Sequence, residues 1–146
     1  MRIVISSCLL GHKIRYDGQS KAVELPPHLA DAEVLHFCPE VAAGFGVPRE
    51  PIELAAADAG DASIRVVRVR DRADVTERLA AACEKEIARL KADGIRVDLF
   101  VLKSNSPSCG PAAPVRDANG TETGRAPGIW AATIRKHFHD TPVMVL

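Results

Sequence analysis

"DVTERLAAACEKEIARLKADGIRVDLFVLKSNSPSCG" (74–110) decides the architecture of this chain. From Asp74 to Ala92, the residues Val75, Leu79, Ala82, Cys83, Ile87 and Leu90 recur three and four apart, which aligns them on one face of a helix. Gly94 stands just past its end, where a left-handed cap belongs. "RVDLFVLKS" (96–104) follows as a buried strand and runs directly into a loop of small residues around Cys109. A helix, then a buried strand, then a Gly/Pro-rich loop is the repeating unit of an α/β protein.

The same grammar extends in both directions. "RIVIS" (2–6) is an apolar run that ends in small polar residues, as a buried parallel strand does. "SSCLLGHKIRYDGQSK" (6–21) reads as loop with at most one helical turn, and "PPHLADA" (26–32) as a short helix opened by proline. A strand at Val34–Phe37 breaks at Pro39, after which Gly44, Gly46, Pro48 and Pro51 predict loop and short turns. "IELAA" (52–56) and "SIRVVRV" (63–69) read as strands, the second half-exposed. "DANGTETGRAPG" (117–128) is turn-rich, with Asn119-Gly120 its best tight turn; "GIWAATIRKHFH" (128–139) fits a helix and "TPVMVL" (141–146) a last strand. The expected fold is α/β: one domain over 1–146, an open, mostly parallel, Rossmann-like sheet with flanking helices.

Composition narrows the function classes. With 19 basic and 19 acidic side chains, the chain has no electrostatic reason to seek nucleic acid or a membrane surface. Arg65, Arg68, Arg70 and Arg72 lie along and just past one strand and read as its solvated side. The apolar runs are too short to span a bilayer, and the start lacks a secretory signal, so a cytoplasmic protein is expected. Its four cysteines then point to thiols, metal ligands or core filler rather than to disulfides.

Three of the four occupy the same kind of place. Cys8, Cys38 and Cys109 each follow a predicted strand, where the loops of a parallel sheet gather along one edge and ligands bind. Cys83 instead falls on the apolar face of the long helix and reads as core. Three soft ligands suit several chemistries. Zinc would take a fourth ligand, for which His12, His28 and His36 are available, although the paired cysteine spacing of structural zinc sites is missing. An iron–sulfur cluster held by three cysteines would keep one iron without a protein ligand, open to substrate. A phosphatase-like reading of "CLLGHKIR" (8–15) finds Ile14 where the phosphate-gripping arginine belongs, the loop being one residue too long.

"SSCLLGHKIRYDG" (6–18), "CPEVAAGFGVPREP" (38–51), "DVT" (74–76) and "VLKSNSPSCG" (101–110) together resemble the bacterial thiouracil desulfidase (TudS) family, in this order and over about three-quarters of the chain. The resemblance implies an oxygen-sensitive 4Fe–4S cluster held by Cys8, Cys38 and Cys109, with the fourth iron left for the sulfur of a thiolated base. It also implies a non-redox replacement of that sulfur by water with release of hydrogen sulfide. Glu40 of the CPE block is the implied catalytic carboxylate and Ser106 the implied active-site serine. Lys103 reads as a strand-end lysine facing solvent; Tyr16-Asp17-Gly18 and Arg49 match the family pattern and read as loop structure. Two departures touch no cluster ligand: "VRDANG" (115–120) replaces a YDG-like turn, and Ala73 stands where glycine is common. The leading expectation is therefore a cluster-dependent desulfidase acting on a small thiolated pyrimidine. The alternative is a non-catalytic cluster- or zinc-binding module in sulfur trafficking or redox sensing.

Overall fold

The structure is a computed structural model and describes residues 1–11, 23–56 and 63–146. His12, Arg15 and Tyr16-Asp17-Gly18 lie outside the described residues. In chain order the elements are β1 (Arg2–Ser6), β2 (Glu33–Phe37), α1 (Pro39–Ala42), β3 (Ile52–Ala56), β4 (Ile64–Arg68), α2 (Thr76–Ala92), β5 (Leu99–Leu102), β6 (Ala113–Arg116), β7 (Glu122–Ala126), α3 (Ile129–His137) and β8 (Val143–Val145). Short 3-10 turns occupy Ser7–Leu10 and Pro27–Leu29.

The α/β class holds, but the strands form two sheets rather than one. The first, in the order β2-β1-β5-β8, is parallel throughout. Its central strands are buried on both faces, which is why their sequences run apolar without alternation. Ile3, Ile5, Leu99 and Val101 pack with Leu9 and Leu29 on one side. Val4, Phe100 and Leu102 pack on the other side against Cys83, Ile87 and Leu90 of α2 and Trp130 and Ile134 of α3. Burying each such side chain contributes about 1.5–3 kcal/mol relative to leaving it in water.

The second sheet, in the order β4-β3-β6-β7, is mixed. β3 and β4 are antiparallel, Leu54 lying opposite Val66, because the chain between them is too short for the crossover that a parallel pair needs. β6 and β7 flank the Asn119-Gly120 turn, with Gly120 at φ +79° as that turn demands. The turn-rich reading of 117–128 thus corrects to a hairpin. Pro114 within β6 and the exposed, polar β7 hide both strands from a hydrophobic pattern. Similarly, the stretch after Pro39 forms one helical turn, α1, before the expected loop.

α2 belongs to both sheets. Its Cys83, Ile87 and Leu90 meet the parallel sheet, while Leu79 and the preceding Val75 enter the core of the mixed one with Leu54 and Val66. The DVT block secures this crossing. Asp74 Oδ1 accepts the Thr76 N–H at 2.9 Å just ahead of the helix, and Thr76 Oγ1 accepts the Val66 N–H at 2.8 Å. Gly94, at φ +65°, closes the other end. The arginine row is neutralised: Arg65 pairs with Asp74 and Glu77, Arg68 with Asp71, Arg70 with Glu50 and Arg72 with Glu53. Among the described residues no helix is long and apolar enough to cross a membrane.

Hydrogen bonds from Arg65 and then Thr76 hold the Asp74 carboxyl down at about 2. A carboxyl depressed on folding stabilises the protein above its unfolded titration range and loses that contribution as pH falls toward the folded value. Asp74→Ala should therefore cost about 1 kcal/mol near neutral pH, through the lost hydrogen bonds to Arg65 and Thr76. In urea titrations the gap to wild type should narrow below about pH 4, the ordinary carboxylate range. A gap that stays constant into acid would contradict this account.

Candidate active site at the carboxyl edge of the parallel sheet

Because β2, β1 and β5 are adjacent and parallel, the loops that leave them open on the same edge. Cys8 lies in the 3-10 turn after β1, Cys38 directly follows β2 and precedes α1, and Cys109 lies in the turn after β5. All three line one cavity of about 360 Å³, together with Glu40, Arg49 and Lys103. That volume suits a small-molecule site. None of the four cysteines is in a disulfide. Cys83 lies fully buried on α2, away from the cavity lining, where burial pushes its thiol up to about 12. It is core, as the helix pattern predicts.

The turn carrying Cys109 is fixed by one backbone bond and one bond to the Ser106 side chain. The Gly110 N–H donates to Ser106 O at 2.7 Å, and the Cys109 N–H donates to Ser106 Oγ at 3.1 Å. The opening of α3 docks on this turn: Gly128 N–H donates to Gly110 O at 2.7 Å and Trp130 N–H to Ser108 O at 2.8 Å. Helix-terminal donors that would otherwise be orphaned are thereby satisfied. The approach leaves no room for side chains. A Cβ on Gly128 would stand 2.7 Å from Pro107 O, and one on Gly110 would stand 2.9 Å from Ser106 N. Trp130 also packs against Phe37 in a tilted pair, centroids 4.7 Å apart, tying the residue before Cys38 to the same support.

Glu40 faces this turn from α1. Its Oε1 accepts Arg49 Nε–H at 2.9 Å, and its Oε2 accepts the Ser108 hydroxyl at 2.7 Å. Ser108 Oγ stands 3.2 Å from Ser106 Oγ. Ser108 has one proton and gives it to the carboxylate, so Ser106 is the donor between the two hydroxyls. The chain of donation therefore runs from Cys109 N–H through Ser106 and Ser108 to Glu40.

Sequence reasoning singled out Ser106, and the structure brings it to the cavity, but the serine on Glu40 is Ser108. Two serines flank Pro107, and only the hydrogen bonding of the turn distinguishes them. Arg49 is likewise more than loop: its side chain is 5% exposed against 12% for Glu40. Lys103 corrects from solvent to cavity wall, its Nζ donating to Ser104 O at 2.8 Å. Of the histidines that zinc could recruit, His28 is exposed and His36 bonds Ser7 Oγ at 2.9 Å; neither lines the cavity.

The donor set suits a cluster. Burial pushes the Cys109 thiol up, reinforced by Cys38, and burial also raises Cys38. Neutral buried thiols become thiolates when a metal supplies the compensating charge. Among the described residues no three His, Cys, Asp or Glu side chains form a group that could hold one metal ion. A cubane instead binds its thiolates on separate irons, which suits three thiols spread around a cavity.

A parallel α/β sheet with three thiols at its carboxyl edge defines a class of ligand-binding α/β protein. The family model described as 2-thiouracil desulfurase matches residues 3–144, and the chain belongs to that family. It is 34% identical over 141 residues to the uncharacterized protein YbbK of Bacillus subtilis (strain 168), covering 92% of this chain and 89% of YbbK. Among solved structures it is similar to the [4Fe-4S]-dependent thiouracil desulfidase TudS, with a TM-score of 0.73 and 33% identity over 99% of this chain and 89% of that one.

Gly128→Ala should force the 106–110 turn to move and destabilise the protein by about 1–3 kcal/mol. Gly124→Ala is the control, since nothing lies within 4 Å of its added Cβ. Urea unfolding of both variants checks the contrast, and equal midpoints would refute the close-approach argument.

Proposed function

We propose that this chain is an iron–sulfur-dependent, non-redox desulfidase that converts a thiolated pyrimidine such as thiouracil to its oxo form. One water enters, the C=S bond becomes C=O, and hydrogen sulfide leaves, so no external electron donor or acceptor is needed. The observation that carries this reading is the convergence of Cys8, Cys38 and Cys109 with Glu40 on one cavity, in a chain of the 2-thiouracil desulfurase family. Cys8, Cys38 and Cys109 would hold the 4Fe–4S cluster. When bound, it would supply a Lewis-acidic iron, without a protein ligand, toward the thiocarbonyl sulfur.

The remaining work falls to the protein. Glu40 takes a proton from the attacking water at Oε1 or Oε2 and returns it to the departing sulfur. Ser106 and Ser108 hold water or the ring through the hydroxyl chain that ends on Glu40. Phe37 and Ile52 give the cavity apolar wall against which a flat ring can pack.

The test is anaerobic reconstitution with iron and sulfide, followed by thiouracil turnover read as uracil and sulfide. Wild type should take up iron and acid-labile sulfide, and Cys109→Ser should lose both cluster and turnover. Glu40→Gln should keep the cluster and lose turnover about 10²–10⁴-fold. An active, iron-free Cys109→Ser protein would sink the proposal. A cluster-bearing wild type without turnover on any thiolated pyrimidine would leave only a binding module.

A further inference from the structure

Arg49 reaches the cavity from a different part of the fold than the residues it touches. Cys38 and Glu40 leave the parallel sheet through β2, whereas Arg49 lies just before β3 of the mixed sheet. Its backbone neighbourhood is pinned there, with Pro51 O accepting the Val69 N–H at 2.9 Å. From that position the guanidinium reaches, among other groups, Glu40, Gly46 and Cys38. Nε donates to Glu40 Oε1 at 2.9 Å, Nη1 donates to Gly46 O at 3.0 Å, and Nη2 points to Cys38 Sγ at 3.9 Å. It also forms the wall between the thiol-lined cavity and a wider depression of about 500 Å³ lined by Phe45, Arg68 and Arg78.

We propose that Arg49 is a positioning residue acting through two groups at once: one edge of its guanidinium fixes the Glu40 carboxylate toward Ser108, and the other draws charge from the Cys38 sulfur. The inference rests on the cluster-bearing site proposed above. A nearly buried guanidinium–carboxylate pair adds little net stability, because desolvation offsets its attraction. What it supplies is orientation. With Oε1 and the Gly46 carbonyl both gripped by one planar fork, the carboxylate cannot rotate, and Oε2 stays on the Ser108 hydroxyl. A positive charge beside a ligand sulfur also stabilises the more negative state of whatever metal that sulfur binds.

The two actions separate in two variants. Arg49→Gln removes the charge; Arg49→Lys keeps it but lacks the fork. In reconstituted protein both should carry wild-type iron. The cluster potential should move to more negative values in Arg49→Gln and stay closer to wild type in Arg49→Lys. Turnover per iron should fall about ten- to hundredfold in both, because neither side chain holds Glu40. An Arg49→Gln protein whose potential or turnover equals wild type overturns the proposal. Loss of iron from both variants overturns it too, by making Arg49 a structural support of the ligand loop. A wild-type protein that takes up no iron defeats the underlying reading along with this one. Wild-type iron and turnover left unchanged by Arg49→Gln defeat the role of Arg49 alone.

Discussion

The opening of α3 is closed by main chain, and the site hangs on that contact. Helix starts are usually satisfied by a serine, threonine or acidic side chain. Here Gly128 precedes the helix without any side-chain cap, and the carbonyls of Ser108 and Gly110 take its first free donors. The consequence is positional. A side-chain cap would satisfy the helix wherever it lay, but this one works only while the 106–110 turn is folded against it. The helix and the cysteine-bearing turn therefore form or fail together. Trp130, fully buried in the first turn of α3, extends the same support to Phe37 and so to the residue next to Cys38.

On this rigid base the polar groups have few alternatives. Three thiols, a carboxylate and a guanidinium in one small cavity would repel or desolvate each other badly if left to rotate. The structure commits almost every partner. Glu40 has both oxygens engaged, Ser108 spends its proton on the carboxylate, and Ser106 accepts a backbone N–H. The buried thiols stay neutral here, and a cationic cluster would supply the charge that turns them into thiolates. Preorganisation of this kind lowers the reorganisation that a charge-separating step would otherwise demand.

What the sequence reveals tracks how local its cause is. α2 is legible because its apolar face repeats along one element, and β1 and β5 because burial on both faces leaves unbroken apolar runs. The convergence of Cys8, Cys38 and Cys109 follows from strand order in a parallel sheet, so it too is foreseeable. β6 and β7 are not. Pro114 argues against a strand, β7 presents mostly polar exposed residues, and only pairing across the Asn119-Gly120 turn makes them a hairpin. Ser108 and Arg49 escape for a related reason. Their roles depend on which way a tight turn points its hydroxyls, and on how one sheet lies beside another, neither of which leaves a periodic trace.

The second sheet explains why a protein of this size does not stop at a single α/β layer. The parallel sheet alone places the thiols, since each follows one of its strands. It does not place Arg49, which precedes β3, or the Ile52 wall, which belongs to it. Those come from the mixed sheet, and α2 holds the two sheets in register by burying Cys83, Ile87 and Leu90 in one core and Leu79 in the other. The DVT block, distant from the cavity, thus serves the site through this helix: Asp74 ties its start to Arg65 of β4 and Thr76 ties it to Val66. The thiols that follow the strands of one sheet meet Arg49 from the other, and their relative placement is no better than the packing of α2 between them. The place of the DVT block, which does not line the cavity, is explained by that dependence.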